Sequence, residues 1–201
     1  MAVDRFEKWR FRNSDGILVE NDVELWGNLK GNSGLAAEHG AGAIGTIPIV
    51  TTRTIIDGAI VKTIRVDLDG LQVLGTQAKD AIGLSAGGAA YIGRYVTATD
   101  GICFKIEMVC LVAPTQETAT ITQDIDLGAD DDATITEGGD PIDDIIINTN
   151  TLVVTETATK TTPALTADDY IYLIEGDTAA STGEYSGGQF LIRFFGYPVF
   201  T

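Results

Sequence analysis

Histidine occurs once (His39) and cysteine twice (Cys103 and Cys110) in the 201 residues. The two cysteines stand seven apart in a run that reads as one strand. Odd spacing puts them on opposite faces, and an extended chain holds them too far apart to bond each other. No disulfide framework and no cysteine-based metal site is therefore expected, and Cys110 reads as a small core residue. Basic residues are also scarce, with 13 Lys and Arg against 29 Asp and Glu, a formal net charge of −16. Affinity for DNA or RNA comes mainly from Lys and Arg neutralising phosphates, so no nucleic-acid partner is expected. No apolar run approaches the ~20 residues of a membrane span, and no membrane partner is expected either. The opening stretch MAVDRFEKWRFR is charged throughout and lacks the apolar core of a secretory signal, so the expectation is synthesis in the cytoplasm. Little of the chain scans at a period of 3.6 residues, which leaves room for no more than one or two short helices.

What is present favours strands. Apolar residues make up 44 % of the chain, enough for a real core. Short runs of Thr, Ile, Val and Tyr, cut by Gly and Asp, suit a pleated and half-buried surface. The expected fold is all-β: an antiparallel β-sandwich or jelly-roll-like domain over residues 41–201, after an N-terminal arm or docking segment over 1–40. Two Asp-Gly dipeptides between β-like runs predict hairpins, because both turn residues must accept positive φ. One is Asp100-Gly101, pairing Tyr95 with Ile106 and Arg94 with Glu107. That pairing puts Tyr91, Tyr95, Phe104, Ile106, Met108 and Cys110 on one face. The other is Asp57-Gly58, with Ile60, Ile64, Val66 and Leu68 inward and Thr63, Arg65 and Asp67 outward. The final strands are expected at 169–176 and 189–200, joined by a Gly/Ser-rich loop, with Arg193 snorkelling or paired to a carboxylate. Short strands are read in TATITQDIDL, DATIT and TLVVTETAT, with GADDD and EGGDPIDD as loops.

Four features bear on chemistry. GAGAIG at Gly40–Gly45 matches the dinucleotide fingerprint letter for letter. That motif needs a strand before it and a helix after it, whereas here a strand-like TIPIV follows, so it reads as a Gly/Ala loop. GLSAG at Gly83–Gly87 matches a hydrolase elbow, but His39 lies upstream of Ser85 and none follows, leaving only a serine–lysine pairing with Lys79. No catalytic residues are expected and the chain reads as non-enzymatic. Nine acids fall between Asp124 and Asp144. They read first as a solvated acidic loop, since charge blocks are mostly exposed. The alternative is a weak Ca²⁺ or Mg²⁺ site drawing on Asp124, Asp126, Asp130, Asp131 and Asp132; no other cofactor is expected. The fourth is the N-terminal arm, where Arg5, Lys8, Arg10 and Arg12 alternate with Phe6, Trp9 and Phe11. Arg and aromatics anchor interfaces, so these seven are read either as partner-binding residues or as an ordinary core element.

Charge is divided along the chain. Residues 1–114 carry 13 acids and 11 bases, a net of −2, whereas residues 115–201 carry 16 acids and two bases, a net of −14. The acidic half is expected to keep the chain soluble and the balanced half to make partner contacts.

The segments IGLSAGGAAYIGRYVTATDGICFKIEMVCLVAP (82–114) and DDYIYLIEGDTAASTGEYSGGQFLIRFFGYP (168–198) resemble virion structural proteins of tailed phages, especially those of cyanobacteria and marine bacteria. The resemblance covers a third to a half of the chain and excludes residues 1–45 and 115–167. It implies a β-rich accessory protein on the capsid surface of the virion. Such a protein binds the major capsid protein, cements neighbouring subunits, and assembles as a homo-oligomer, for which a trimer is one form. It brings no catalytic residues. Two other readings stay open: a tail component such as a tube or fibre-base subunit, and a Ca²⁺-dependent carbohydrate-binding module using the acidic loops and exposed aromatics such as Tyr185.

Overall fold

The larger of two antiparallel sheets is built around the longest strands of the chain, in the order β1-β2-β10-β5-β8. The structure is a computed structural model and describes residues 38–75, 78–85, 87–117, 124–149, 153–166, 168–176 and 182–199. Its strands are β1 (Val50–Ile56), β2 (Ala59–Asp67), β3 (Gln72–Val73), β4 (Gly93–Arg94), β5 (Ile102–Gln116), β6 (Ile125–Asp130), β7 (Asp144–Ile147), β8 (Thr157–Thr161), β9 (Tyr170–Glu175) and β10 (Gly183–Tyr197). The short β3 pairs with the start of β10, and the smaller sheet runs β4-β9-β6-β7. Among the described residues helix is limited to α1 (Thr97–Asp100) and one 3-10 turn at Ala41–Ala43. Among the described residues no helix is long and apolar enough to cross a membrane. The fold is thus all-β with two antiparallel sheets, and after β5 the chain passes repeatedly from one sheet to the other.

One apolar cluster joins the sheets. Ile64, Val66, Ile106, Met108, Cys110, Phe190, Ile192 and Phe194 of the larger sheet pack with Ile125, Leu127, Ile171 and Leu173 of the smaller one. These residues alternate along their strands, as the period-2 pleat requires for a one-sided face. The smaller sheet is covered on both sides. Every residue of β6 is buried, and Tyr172 and Ile174 face a second cluster with Ala81, Ala90, Ile135 and Ile142. Loop segments 78–85, 87–92 and 131–143 therefore form a third layer, which explains why apolar residues appear in stretches with no strand pattern. Tyr172 Oη donates to the Asp132 carbonyl at 2.5 Å and fastens that layer to the sheet.

The Asp57-Gly58 hairpin forms as expected. Ile56 pairs Ala59 across a two-residue turn, with φ of 49° at Asp57 and 80° at Gly58. Ile64, Val66 and Leu68 are buried and Arg65 is exposed, while Asp67 points outward but is covered by Gln189, whose Nε2 donates to it at 2.6 Å. The second expected hairpin does not exist. Gly93 and Arg94 pair with β9 in the smaller sheet, and β5 pairs with β10 and β8 in the larger one. Neither Tyr95–Ile106 nor Arg94–Glu107 forms. The cause is Asp100: its carboxylate is buried, accepts the Val96 N–H at 2.9 Å, and ends a helical turn instead of opening a tight one. On β5, Ile106, Met108 and Cys110 are buried as expected, but Phe104, expected on the same face, is half-buried and stacks on Tyr197, while Cys103 packs against the core.

Elsewhere, β10 begins at Gly183, within the segment expected as a loop, and bends through register shifts around Gly187 to reach β3. Bulges of this kind let one strand serve two neighbours. β7 occupies DIII, beside an expected loop, and DATIT contributes only an isolated bridge from Thr136 to Ala89. Residues 38–40 already belong to the domain, since the Gly40 N–H donates to the Tyr91 carbonyl at 2.8 Å.

Candidate functional site

The two Gly-rich motifs turn out to hold each other. The Gly42 N–H donates to the Ala89 carbonyl at 2.8 Å and the Leu84 N–H to the Gly42 carbonyl at 2.7 Å. A side chain at Gly40 would stand 2.0 Å from the Ala89 carbonyl oxygen, and one at Gly42 2.2 Å from that of Gly88. Only glycine permits this approach, so GAGAIG is a packing loop against GLSAGGAA. Lys79 donates to the Asp143 carbonyl at 3.2 Å, and Ser85 is exposed. Cys103 is half-buried, and burial pushes its thiol up to about 11, away from the thiolate range of a reactive cysteine.

The acidic cluster is dispersed by the fold. Asp126 is buried and accepts the Thr149 N–H at 2.6 Å, while Asp124 accepts the Thr149 hydroxyl at 3.2 Å. Asp130 accepts the N–H groups of Asp132 and Asp143 at 2.8 and 3.0 Å, which locks the third layer. Asp131 is exposed, and Asp132 closes a local turn on Thr134. Among the described residues no group of three or more His, Cys, Asp or Glu side chains is placed to hold a metal ion. Tyr185 is 1 % exposed, so it offers no ring to a sugar, contrary to the expectation that made it a glycan contact. The seven arm residues Arg5, Phe6, Lys8, Trp9, Arg10, Phe11 and Arg12 lie outside the described residues.

The surface that stands out is one end of the larger sheet. Ile56 pairs Ala59, Ile60 pairs Gly196, and Tyr197 pairs Ile102, so the ends of four strands come level. Along that end Ile55 is 74 % exposed and Ile102 and Tyr197 are 58 % exposed, with Ile56 and Val199 also open to solvent. Tyr197 stacks on Phe104 at 4.3 Å between ring centroids, extending the apolar surface inward. Among the described residues no strand pairs with the outer edge of β1, a seven-residue strand with a single charge, Arg53. Clustered exposed apolar side chains and an open edge mark surfaces that meet another chain. Ile55-Ile56 beside a turn is the sequence signal for this surface. Neighbours on a strand face opposite ways, so a core on one side can bury only one of them.

Beyond this patch the outer face of the same sheet is tied by charge. Arg193 sits directly across from Glu107 and bonds it at 2.8 Å, and Lys105 lies 4.0 Å above the Phe195 ring. The expected pairing of Arg193 with a carboxylate is thus present. A denser ionic group occupies the interior: Lys62 and Asp100 are 2 % and 0 % exposed, and Arg53 and Glu38 close over them. Compared with known proteins, the chain matches no family model, no curated protein and no solved structure.

Proposed function

We propose that this chain is a structural, non-catalytic virion protein that decorates a tailed-phage capsid and cements neighbouring capsid subunits. The phage part of the reading is supported by the resemblance of residues 82–114 and 168–198 to phage virion proteins. The structural observation that carries the reading is the apolar sheet end formed by Ile55, Ile56, Ile102, Tyr197 and Val199. A protein of net charge −16 that leaves Ile55, Ile102 and Tyr197 exposed along one sheet end has a surface suited to burial against another chain. The strongly acidic remainder opposes aggregation of the free pool before assembly. On this reading the arm from Arg5 to Arg12 supplies further contacts to the major capsid protein, and the chain acts as a homo-oligomer.

The test is co-sedimentation with undecorated capsid shells. The wild-type chain pellets with the shells, and the double variant Ile55→Asp/Tyr197→Asp stays in the supernatant. Exposed positions of this kind change stability by less than about 0.5 kcal/mol each, so lost binding would not reflect unfolding. The open edge of β1 favours one rival, a tail-tube subunit that adds strands head to tail. Filaments or rings formed by the pure chain, with no shell binding, would select it.

A further inference from the structure

We propose that Lys62 and Asp100 are the reacting pair of an intramolecular isopeptide bond, with Glu38 as the proton carrier and Arg53 as the oxyanion partner. The inference does not depend on the capsid reading. Lys62 lies on the inward face of β2, in step with Ile64 and Val66, and its ammonium ends inside the sandwich. Its Nζ stands 3.2 Å from Asp100 Oδ2 and 3.9 Å from Glu38 Oε2, and donates to the Arg94 carbonyl. The Asp100 carboxylate is fixed from two further directions, by the Val96 N–H on Oδ2 at 2.9 Å and by Arg53 Nε on Oδ1 at 2.6 Å. Arg53 Nη1 also holds Glu38 Oε1 at 2.6 Å, while Glu38 Oε2 is buried and accepts no hydrogen bond.

Each part has a task in amide formation. The Lys62 nitrogen attacks Asp100 Cγ, a C–N bond forms, and the C–Oδ2 bond breaks. The ammonium loses two protons and Oδ2 leaves with both as one water, so charge and atoms balance and no co-reactant is needed. Glu38 relays those protons through Oε2 and ends as it began. Arg53 bears on Oδ1, where the negative charge of the tetrahedral intermediate develops. Because Oδ2 must leave as water, proton delivery to it is the demanding step, and Glu38 is the residue that the reaction cannot spare. Burial pushes the Lys62 ammonium toward the neutral amine that a nucleophile must be. Condensation in open water runs uphill, but here water is excluded and the partners are held near contact distance. The product would join residues 38 apart, tying the first hairpin to the corner before β5.

Intact-mass spectrometry of the denatured full chain decides the matter. The expected mass is one water below that of the sequence, with a proteolytic fragment in which the peptide containing Lys62 is joined to that containing Asp100. Lys62→Arg and Asp100→Ala each restore the full mass. Glu38→Gln leaves a folded protein, by circular dichroism, whose mass is full or approaches the lower value only slowly. A wild-type mass equal to that of the sequence overturns the proposal and leaves an ordinary buried ion group. So does a lost water that maps elsewhere, for instance to a succinimide at Asp57-Gly58, or one that persists in Lys62→Arg.

Discussion

Tyr95 shows how single side chains hold the corner that the sequence pattern could not describe. Its hydroxyl donates to the Gly101 carbonyl and accepts the Cys103 N–H at 2.7 Å, and burial pushes its ionisation up to about 12. Tyr95→Phe keeps the ring against Phe194 but leaves a buried N–H and carbonyl without that partner. We expect a loss of about 2 kcal/mol in urea unfolding, the cost of such orphaned groups. A second expectation at this scale concerns acid. Burial raises the carboxyls of Glu137 and Asp169 above their ordinary value. A group whose folded pKa lies above its unfolded one contributes stability that is complete below the unfolded value and is lost as pH rises through the folded one. Asp132, exposed and held low by Thr134, loses its contribution only further into acid. Melting temperature should therefore rise as pH falls from about 8 to about 5, just above the ordinary carboxylate range. A steady fall over that interval, read by scanning fluorimetry, would contradict it. Lys62 follows from the alternation of β2, because the pleat that buries Ile64 and Val66 also turns Lys62 inward. Asp100 was not legible in advance, because its partners Arg53 and Lys62 lie far away in sequence and no local pattern announces them.

Among the elements, the same dipeptide gave two different outcomes. Asp57-Gly58 makes a two-residue turn because the flanking strands are long, regular and free to pair with each other. Asp100-Gly101 does not, because the Asp100 side chain is claimed by the Val96 N–H, Arg53 and Lys62, and that long-range arrangement overrides the local preference. The Gly/Ser-rich stretch before Phe190 became strand for a similar reason: β3 and β5 supply partners that composition alone cannot reveal. The core faces of β2 and of β5 from Ile106 onward were readable, since period-2 alternation survives whichever strand is the neighbour. Their shared centre makes a direct test. Ile64 is fully buried between the sheets, and Ile64→Ala should cost about 2–5 kcal/mol in chemical denaturation, the range for emptying a packed aliphatic site. A loss below about 1 kcal/mol would mean that the two sheets do not meet there as described.

For the molecule as a whole, the division of charge and the division of layers coincide in part. The third layer and the smaller sheet carry most of the acids between Asp124 and Asp144, whereas the larger sheet holds Arg53, Lys62, Arg65, Lys105, Lys160 and Arg193. The apolar end with Ile55, Ile102 and Tyr197 lies on that larger sheet. The exposed apolar end thus lies on the sheet that also carries these six basic residues. The apolar sheet end was not readable from the sequence. It gathers residues from four strand ends that only the sheet order brings level. The most direct test of the account is a cryo-electron microscopy map of the particle that carries this chain. The account predicts density at fixed lattice positions on the head, with Ile55, Ile102 and Tyr197 buried against neighbouring subunits. Density in the tail, or a head-bound chain whose apolar sheet end faces solvent, would contradict it.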